Sequence, residues 1–278
     1  MIIDNTPIET YPVDGIDIYV KREDLCVQRP GPPFSKMRGL FAYLSTLKQR
    51  GISTVGYTES SISMAGWGVA WLAQKLDMTA VIYDPQYSES NKKDHLSVLE
   101  YHRQQWKAAG AEIRPIKAGM VKVNYNICSK LLQQEFPGAI MLPLGLPLQE
   151  TVDATAAIAA EYDGHFSSVV VCIGSGTICA GLVKGMRRCE IYGIMSRSGN
   201  ESIKHQSIIK KAGVLNGGLL GRGAFLDCID LGMEYTEKCD VEIPFPCHSY
   251  YDAKAWKWLT QNIQRIMKPI LFWNIGSN

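Results

Sequence analysis

The sequence predicts an α/β protein built as two α/β lobes with parallel-rich sheets. Three observations carry this expectation. Short β-rich runs alternate with longer helical stretches along most of the chain, the pattern of parallel sheets flanked by helices. The apolar run SSVVVCI at residues 167–173 reads as a strand buried on both faces. With 278 residues and 46% hydrophobic content, the chain can fill one or two cores, and no internal repeat or long linker interrupts it.

The first set of elements opens with a strand at 54–59 (TVGYTE), followed by a small-residue helix over 63–76. A strand at 79–85 (TAVIYDP), a polar helix over 91–109 and a strand at 112–116 come next. A helix over 123–136 and the run AIMLPLG at 139–145 close the set. The second set has a helix over 149–161, the strand at 167–173, a helix over 177–188 and a strand at 190–195 (EIYGIM). The glycine-rich stretch 216–223 reads as a loop. An amphipathic helix over 251–267 and a strand at 270–275 (ILFWNI) end the chain. Residues 1–39 with 149–278 are expected to form a large domain and 40–148 a smaller one. Ligands of such folds sit beyond the carboxyl ends of the strands.

Bulk properties exclude several classes. Net charge is +2, from 29 basic and 27 acidic residues, so the total does not call for a polyanion. Pairs such as Lys92-Lys93, Arg187-Arg188 and Lys210-Lys211 read as solvated surface. None of the eight cysteines forms a C-x-x-C pair, and the five histidines show no metal spacing. The N-terminus is not signal-like and no apolar run reaches membrane-spanning length. A cytoplasmic, reduced protein without a metal or a membrane partner is expected.

The strongest local signal is the strand that runs into Gly174-Ser175-Gly176-Thr177 at the start of a small-residue helix. Glycines let a ligand approach the backbone, and a helix start offers N–H groups and a dipole suited to an anion. A P-loop would need a lysine after Gly181, and none is present. A dinucleotide fingerprint would need glycine at Cys179, and EIYGIM lacks the acid for a ribose hydroxyl. A cradle for a single phosphate remains, with an empty strand-to-helix turn as the alternative. Near the N-terminus, Lys36 lies between Phe34-Ser35 and Met37. An apolar setting there would lower its pKa and favour Schiff-base chemistry, although a lone lysine is otherwise a surface residue.

Four segments occur in an order that resembles the fold type II family of pyridoxal phosphate enzymes, tryptophan synthase beta-like in fold. The similarity is greatest to the branch of 1-aminocyclopropane-1-carboxylate deaminase and D-cysteine desulfhydrase. Thr6-Pro7-Ile8 and KREDL at 21–25 match the family's opening, and FSKMRGL matches its GNK-x-RKL segment. GSGT at 174–177 is one residue short of the family's GSGGT. Tyr251-Asp252-Ala253-Lys254-Ala255 matches its late DPVY-(T/E)-G-K segment, and ILFWNIGSN resembles its final strand, with Asn274 and Ser277 as departures.

The resemblance implies pyridoxal 5'-phosphate as cofactor and a PLP-dependent lyase acting at the α-carbon of an amino acid or amino-acid-type adduct. It implies that Lys36 carries the cofactor as a Schiff base and then moves protons at the substrate carbon. Gly174, Ser175, Gly176 and Thr177 would hold the phosphate. Asp252 would face the pyridine nitrogen and strengthen the ring as an electron sink. Tyr251 would lie near the reacting centre, its alternative being an aromatic packed at a helix start. Relatives place Ser-Asn-His or Gly-Asn-His where this chain has Ser60-Ser61-Ile62-Ser63-Met64. Ser60, Ser61 and Met64 are therefore the substrate-side candidates, and Ser63 takes the position that touches the cofactor; a plain N-cap is the other reading of the serines.

Deamination, β-elimination and decarboxylation share this machinery. The compact length and the altered 60–64 loop also resemble the pyridoxal phosphate enzymes with which bacterial viruses hypermodify thymine in DNA. The substrate is then an amino acid attached to a nucleobase. A deaminase or desulfhydrase of a free small amino acid, and a non-catalytic binding protein, are the alternatives. Homodimerisation is implied by the family alone.

Overall fold

The computed structural model describes residues 1–60, 62–87, 95–213 and 225–278. Ser61, the first residues of the helix expected over 91–109, Lys92-Lys93 and the loop expected over 216–223 lie outside them. The chain divides into two compact units, Met1–Gly39 with Leu148–Asn278, and Leu40–Pro147.

The first unit holds a six-stranded sheet. Its strands are β1 (Ile8–Val13), β2 (Ile16–Arg22), β7 (Ser168–Ile173), β8 (Glu190–Met195), β9 (Phe225–Ile229) and β10 (Ile270–Asn274). Their order is β1-β2-β10-β7-β8-β9. Only β1 and β2 pair antiparallel, through a two-residue Asp14-Gly15 turn that places Val13 opposite Ile16; the other pairings are parallel. All six β7 residues are buried because helices cover both faces. Val169, Val171 and Ile173 face one core with α5 (Gln149–Ala160), α6 (Thr177–Gly185) and α7 (Glu201–Ala212). Val170 and Cys172 alternate into the other, filled by Trp256 and Leu259 of α8 (Asp252–Asn262).

The second unit holds a parallel four-stranded sheet of order β5-β4-β3-β6. It comprises β3 (Thr54–Thr58), β4 (Thr79–Gln86), β5 (Glu112–Lys117) and β6 (Ile140–Met141). α2 (Ala65–Lys75), α3 (His95–Ala108) and α4 (Val121–Glu135) connect them, and α1 (Met37–Gln49) leads in from the first unit. The strand expected over 139–145 is only two residues long, because Pro143 has no N–H to extend the ladder. β1, β2, α1, α7 and β9 go beyond the alternation seen in sequence. α7 has clear ends: the Asn200 side chain accepts the Ile203 N–H at 2.9 Å, and Gly213 is left-handed.

α5 and α6 press together closely enough to exclude a side chain at Gly181. A Cβ there would lie 2.4 Å from Thr155 Cβ and 2.8 Å from the Val152 carbonyl. Gly181→Val is expected to destabilise the protein by at least ~1–3 kcal/mol, read as a lower urea midpoint at unchanged m.

No helix among the described residues is long and apolar enough to cross a membrane. All eight cysteines are unpaired, seven of them buried.

Candidate active site

At the carboxyl end of β7 the chain turns through Gly174, Ser175 and Gly176 into α6. Gly176 is left-handed at φ 81°, and a Cβ on it would lie 2.8 Å from Ile208 of α7. Both backbone and packing therefore require glycine. A Cβ on Gly174 would meet nothing within 4 Å, so the turn can be approached from that side. The first N–H groups of α6 have no helical carbonyl to bond, and the helix dipole favours an anion in front of them. The hydroxyls of Ser175 and Thr177 are 2.8 Å apart, and Lys36 Nζ donates to Ser175 Oγ at 3.1 Å.

The chain's last residues tie Lys36 to Asp252. The Ser35 N–H bonds the Ile275 carbonyl at 2.9 Å, and the Ser277 N–H bonds the Pro33 carbonyl at 3.1 Å. The same stretch donates the Ile275 N–H, at 3.0 Å, and the Gly276 N–H to the Asp252 carboxylate. Burial pushes Asp252 up to about 7, with a smaller push from the nearby Asp24 charge, against the pull of those N–H bonds. Burial lowers Lys36 to about 8, helped by the charge of Lys211.

The KREDL segment braces this arrangement. Arg22 grips Asp24 with two hydrogen bonds of 2.9 and 2.8 Å and also pairs with Glu9. Glu23 pairs with Arg38 and accepts the Thr6 hydroxyl at 2.5 Å. Asn274, at the end of β10, donates to Asp24 at 3.0 Å and to the Pro246 carbonyl at 2.9 Å. Asn274, a departure from the family pattern, thus joins the brace to the C-terminal strand.

Tyr251 stands at the cap of α8. Its hydroxyl bonds that of Tyr235, and its ring lies 4.5 Å from His248. Tyr235 carried no signal in sequence because it lies 16 residues from Tyr251, and His248, three residues before Tyr251, stands outside the helix that would make such a spacing meaningful. Lys204 carried no signal because α7 does not stand out in the sequence, and Lys211 was expected only as solvated surface. Lys210 is exposed as expected of the pair, whereas Lys211 is half-buried.

In the second unit, the loop between β3 and α2 is organised by Glu59, to which sequence reasoning assigned no role. Its carboxylate accepts the Ser60 N–H at 2.8 Å, the Gly66 N–H at 2.5 Å and the Ser63 hydroxyl. Ser63 Oγ in turn accepts the Ala65 N–H at 3.1 Å, and Met64 is buried at the helix cap. Burial raises Glu59 to about 8 despite these bonds.

A carboxyl whose pKa rises on folding binds protons more tightly in the native state, so its contribution to stability falls as pH climbs toward the native pKa. For Glu59 the window runs from its ordinary value near 4.5 to about 8. The stability difference between Glu59→Gln and wild type, from urea melts at successive pH values, is expected to move in the variant's favour across that window. The slope is at most ~1.4 kcal/mol per pH unit. A difference that stays flat with pH would count against the raised pKa.

Residues 1–213 match the model of the "Pyridoxal-phosphate dependent enzyme" family. The chain belongs to this family. Over 289 aligned residues the enzyme is also 37% identical to a "Glycyl-dTMP PLP-dependent decarboxylase" of Pseudomonas phage M6, covering 99% of this chain and 100% of that protein. Among solved structures, an ACC deaminase homologue superposes with a TM-score of 0.75 at 22% identity, covering 98% of this enzyme and 89% of the other. A hydrogen sulfide-producing enzyme from Fusobacterium nucleatum follows with a TM-score of 0.66 at 14% identity, over 98% and 95% of the two chains. The O-acetylserine dependent cystathionine beta-synthase of Helicobacter pylori gives 0.63 at 18%, over 100% and 96%. These structures establish the fold, a parallel-rich, tryptophan synthase beta-like α/β architecture.

The first unit fits the family's cofactor. The Gly174–Thr177 turn is open on the Gly174 side, as a bound phosphate needs. Lys36, with its lowered pKa, suits a Schiff base to an aldehyde, and Asp252 is a buried carboxyl able to share a proton with a ring nitrogen.

Proposed function

We propose that this enzyme is a pyridoxal-phosphate dependent decarboxylase of an amino acid joined to a thymidine nucleotide. The observation that carries the reading is the 37% identity, across 99% of the chain, to a phage protein named for that reaction on glycyl-dTMP. The site's chemistry supports it.

When bound, pyridoxal phosphate supplies an electron sink for the pair left behind as a bond at the α-carbon breaks. Lys36 is the residue that would hold it covalently, because its amine is deprotonated far more often near neutral pH than an ordinary lysine. Gly174, Ser175, Gly176 and Thr177 hold the phosphate with turn N–H groups and hydroxyls. Asp252 keeps a proton on the ring nitrogen. In decarboxylation the bond from the α-carbon to the carboxylate breaks, carbon dioxide leaves, and the carbon keeps the electron pair. Lys36 would then deliver the replacing proton, and Tyr251 would serve as a neighbouring hydroxyl of the reacting centre.

Ser60, Ser61 and Met64 serve the substrate, and Ser63 the cofactor side, in this reading. Glu59 already takes the Ser60 and Gly66 amides of that loop. The unpaired cysteines fit a reducing cytoplasm. The homodimer of the family is part of the same reading, and sedimentation of the purified protein tests it.

The test is turnover by the cofactor-loaded protein. Glycyl-dTMP, DNA carrying the same adduct, free D-cysteine and 1-aminocyclopropane-1-carboxylate would be supplied in parallel. Carbon dioxide released in step with loss of the nucleotide's carboxylate is the expected result. The first two substrates decide between free nucleotide and polymer. Ammonia or sulfide from the free amino acids, with no reaction on either nucleotide form, would overturn the reading.

A further inference from the structure

α7 lies directly on the phosphate-holding turn. Ile208 makes the contact, at the point where Gly176 has no room for a Cβ. One helical turn before Ile208, Lys204 Nζ donates to the Gly174 carbonyl at 2.9 Å. Three residues after it, Lys211 Nζ donates to Ser207 Oγ at 2.6 Å, and its charge reaches Lys36. Residues 204, 207, 208 and 211 share one helix face by spacing. They are buried or half-buried, while Ser202, Ile203, Gln206 and Lys210 on the remaining surface are exposed.

The ammonium groups of Lys36 and Lys204 therefore meet one turn, and Lys211 stands on the same face of α7 as Lys204. Burial lowers the pKa of each and like charges add to it: Arg197 acts on Lys204 against a pull from Cys228, Cys172 and Cys179, Lys204 acts on Lys211, and Lys211 on Lys36. Among the described residues neither Lys204 nor Lys211 forms an ion pair with a carboxylate. Such a cluster opposes folding unless an anion neutralises it. The hydroxyls and helix-start N–H groups beside it are the partners of a phosphate ester.

We propose that Lys204 and Lys211 form a cationic clamp on the cofactor's phosphate, making α7 a second wall of the phosphate site beside the Gly174–Thr177 turn. The clamp neutralises the phosphate as a dianion, and the phosphate in return relieves the repulsion among the lysines. A turn reduced to GSGT leaves this work to side chains from another helix.

Equilibrium binding to cofactor-stripped protein, followed by absorbance, tests the clamp. Pyridoxal phosphate is compared with pyridoxal, which lacks the phosphate. Lys204→Met and Lys211→Met are each expected to weaken pyridoxal phosphate binding by about 10- to 100-fold, the range for one hydrogen bond between ionised groups. Pyridoxal binding should change far less, by no more than the loss of the Lys211 charge does at Lys36, the arginine variants should recover most of the loss, and exposed Lys210→Met should behave as wild type. Equal weakening of both ligands would mean a purely structural role and overturn the proposal, as would unchanged pyridoxal phosphate affinity. If only dTMP binding to the loaded enzyme weakens, the lysines serve the nucleotide's phosphate and the clamp assignment falls. Should a methionine variant not fold, the phosphorus resonance of the wild-type holoenzyme decides. A signal held as the dianion across the pH range supports the clamp, and one titrating like free pyridoxal phosphate overturns it. None of these readouts depends on which substrate is turned over.

Discussion

Lys36→Ala is expected to abolish turnover, by at least about 10²–10⁴-fold, the contribution of a positioned proton-transfer group alone. It is also expected to remove the Schiff-base absorption band and the borohydride-stable link to the protein. The size of the effect follows from two roles falling on one amine: covalent attachment of the cofactor and proton movement at the α-carbon. The structure explains why this amine suits both. A lysine with a pKa of about 8 is unprotonated in roughly a tenth of molecules at pH 7, against about 0.04% for an ordinary lysine. Reloading of stripped wild-type protein should therefore speed up as pH rises through about 8, well below the ordinary lysine range. Lys36→Arg keeps the charge next to Ser175 but cannot lose its proton, so it should be as inactive as alanine. A borohydride-stable link of the cofactor to the protein in either variant would remove Lys36 from the centre of the site.

Asp252→Asn carries the second-largest expected effect, a loss of about 10²–10³-fold in turnover, as when one preorganised electrostatic partner is removed from an active site. The cofactor and its link to Lys36 should remain, so the visible band survives while activity falls. The reasoning rests on what asparagine cannot do: its amide carries no charge to hold a proton on a ring nitrogen. In the stripped protein, Asp252 rises to about 7 because burial outweighs the Ile275 and Gly276 N–H bonds. A protonated ring nitrogen facing it would restore the ionised form, so loading the cofactor is expected to lower this pKa. Infrared difference spectra of stripped and loaded protein would show the carboxyl band lost on loading, and lost from both states in Asp252→Asn. Unchanged turnover in the variant would place Asp252 outside the chemistry.

Much of the fold could be read from local pattern. The alternation of strands and helices from 54 to 145 and from 149 to 195 corresponds to β3 through β8 with their helices. The β1–β2 hairpin lies outside that alternation, yet Asp14-Gly15 between its two runs is a strong turn signal. α7 is hidden for a different reason: its lysines interrupt the apolar stripe, because part of its face meets a polar turn rather than a core. The family and its cofactor were legible because four short motifs appear in one order along the chain.

By itself the sequence determined the α/β class, the membership in a pyridoxal phosphate family, and the candidate residues that local motifs mark, among them Lys36, Gly174–Thr177 and Asp252. These depend on residue type and short spacing, which a linear text preserves. Only the tertiary structure decided which groups meet. Lys36 reaches Ser175 across 139 residues, Asn274 reaches Asp24 across 250, and α7 delivers Lys204 to a turn about thirty residues earlier. It also decided the protonation of the site. The pKa values of Lys36, Glu59 and Asp252 are set first by burial, and burial is a property of the packed chain.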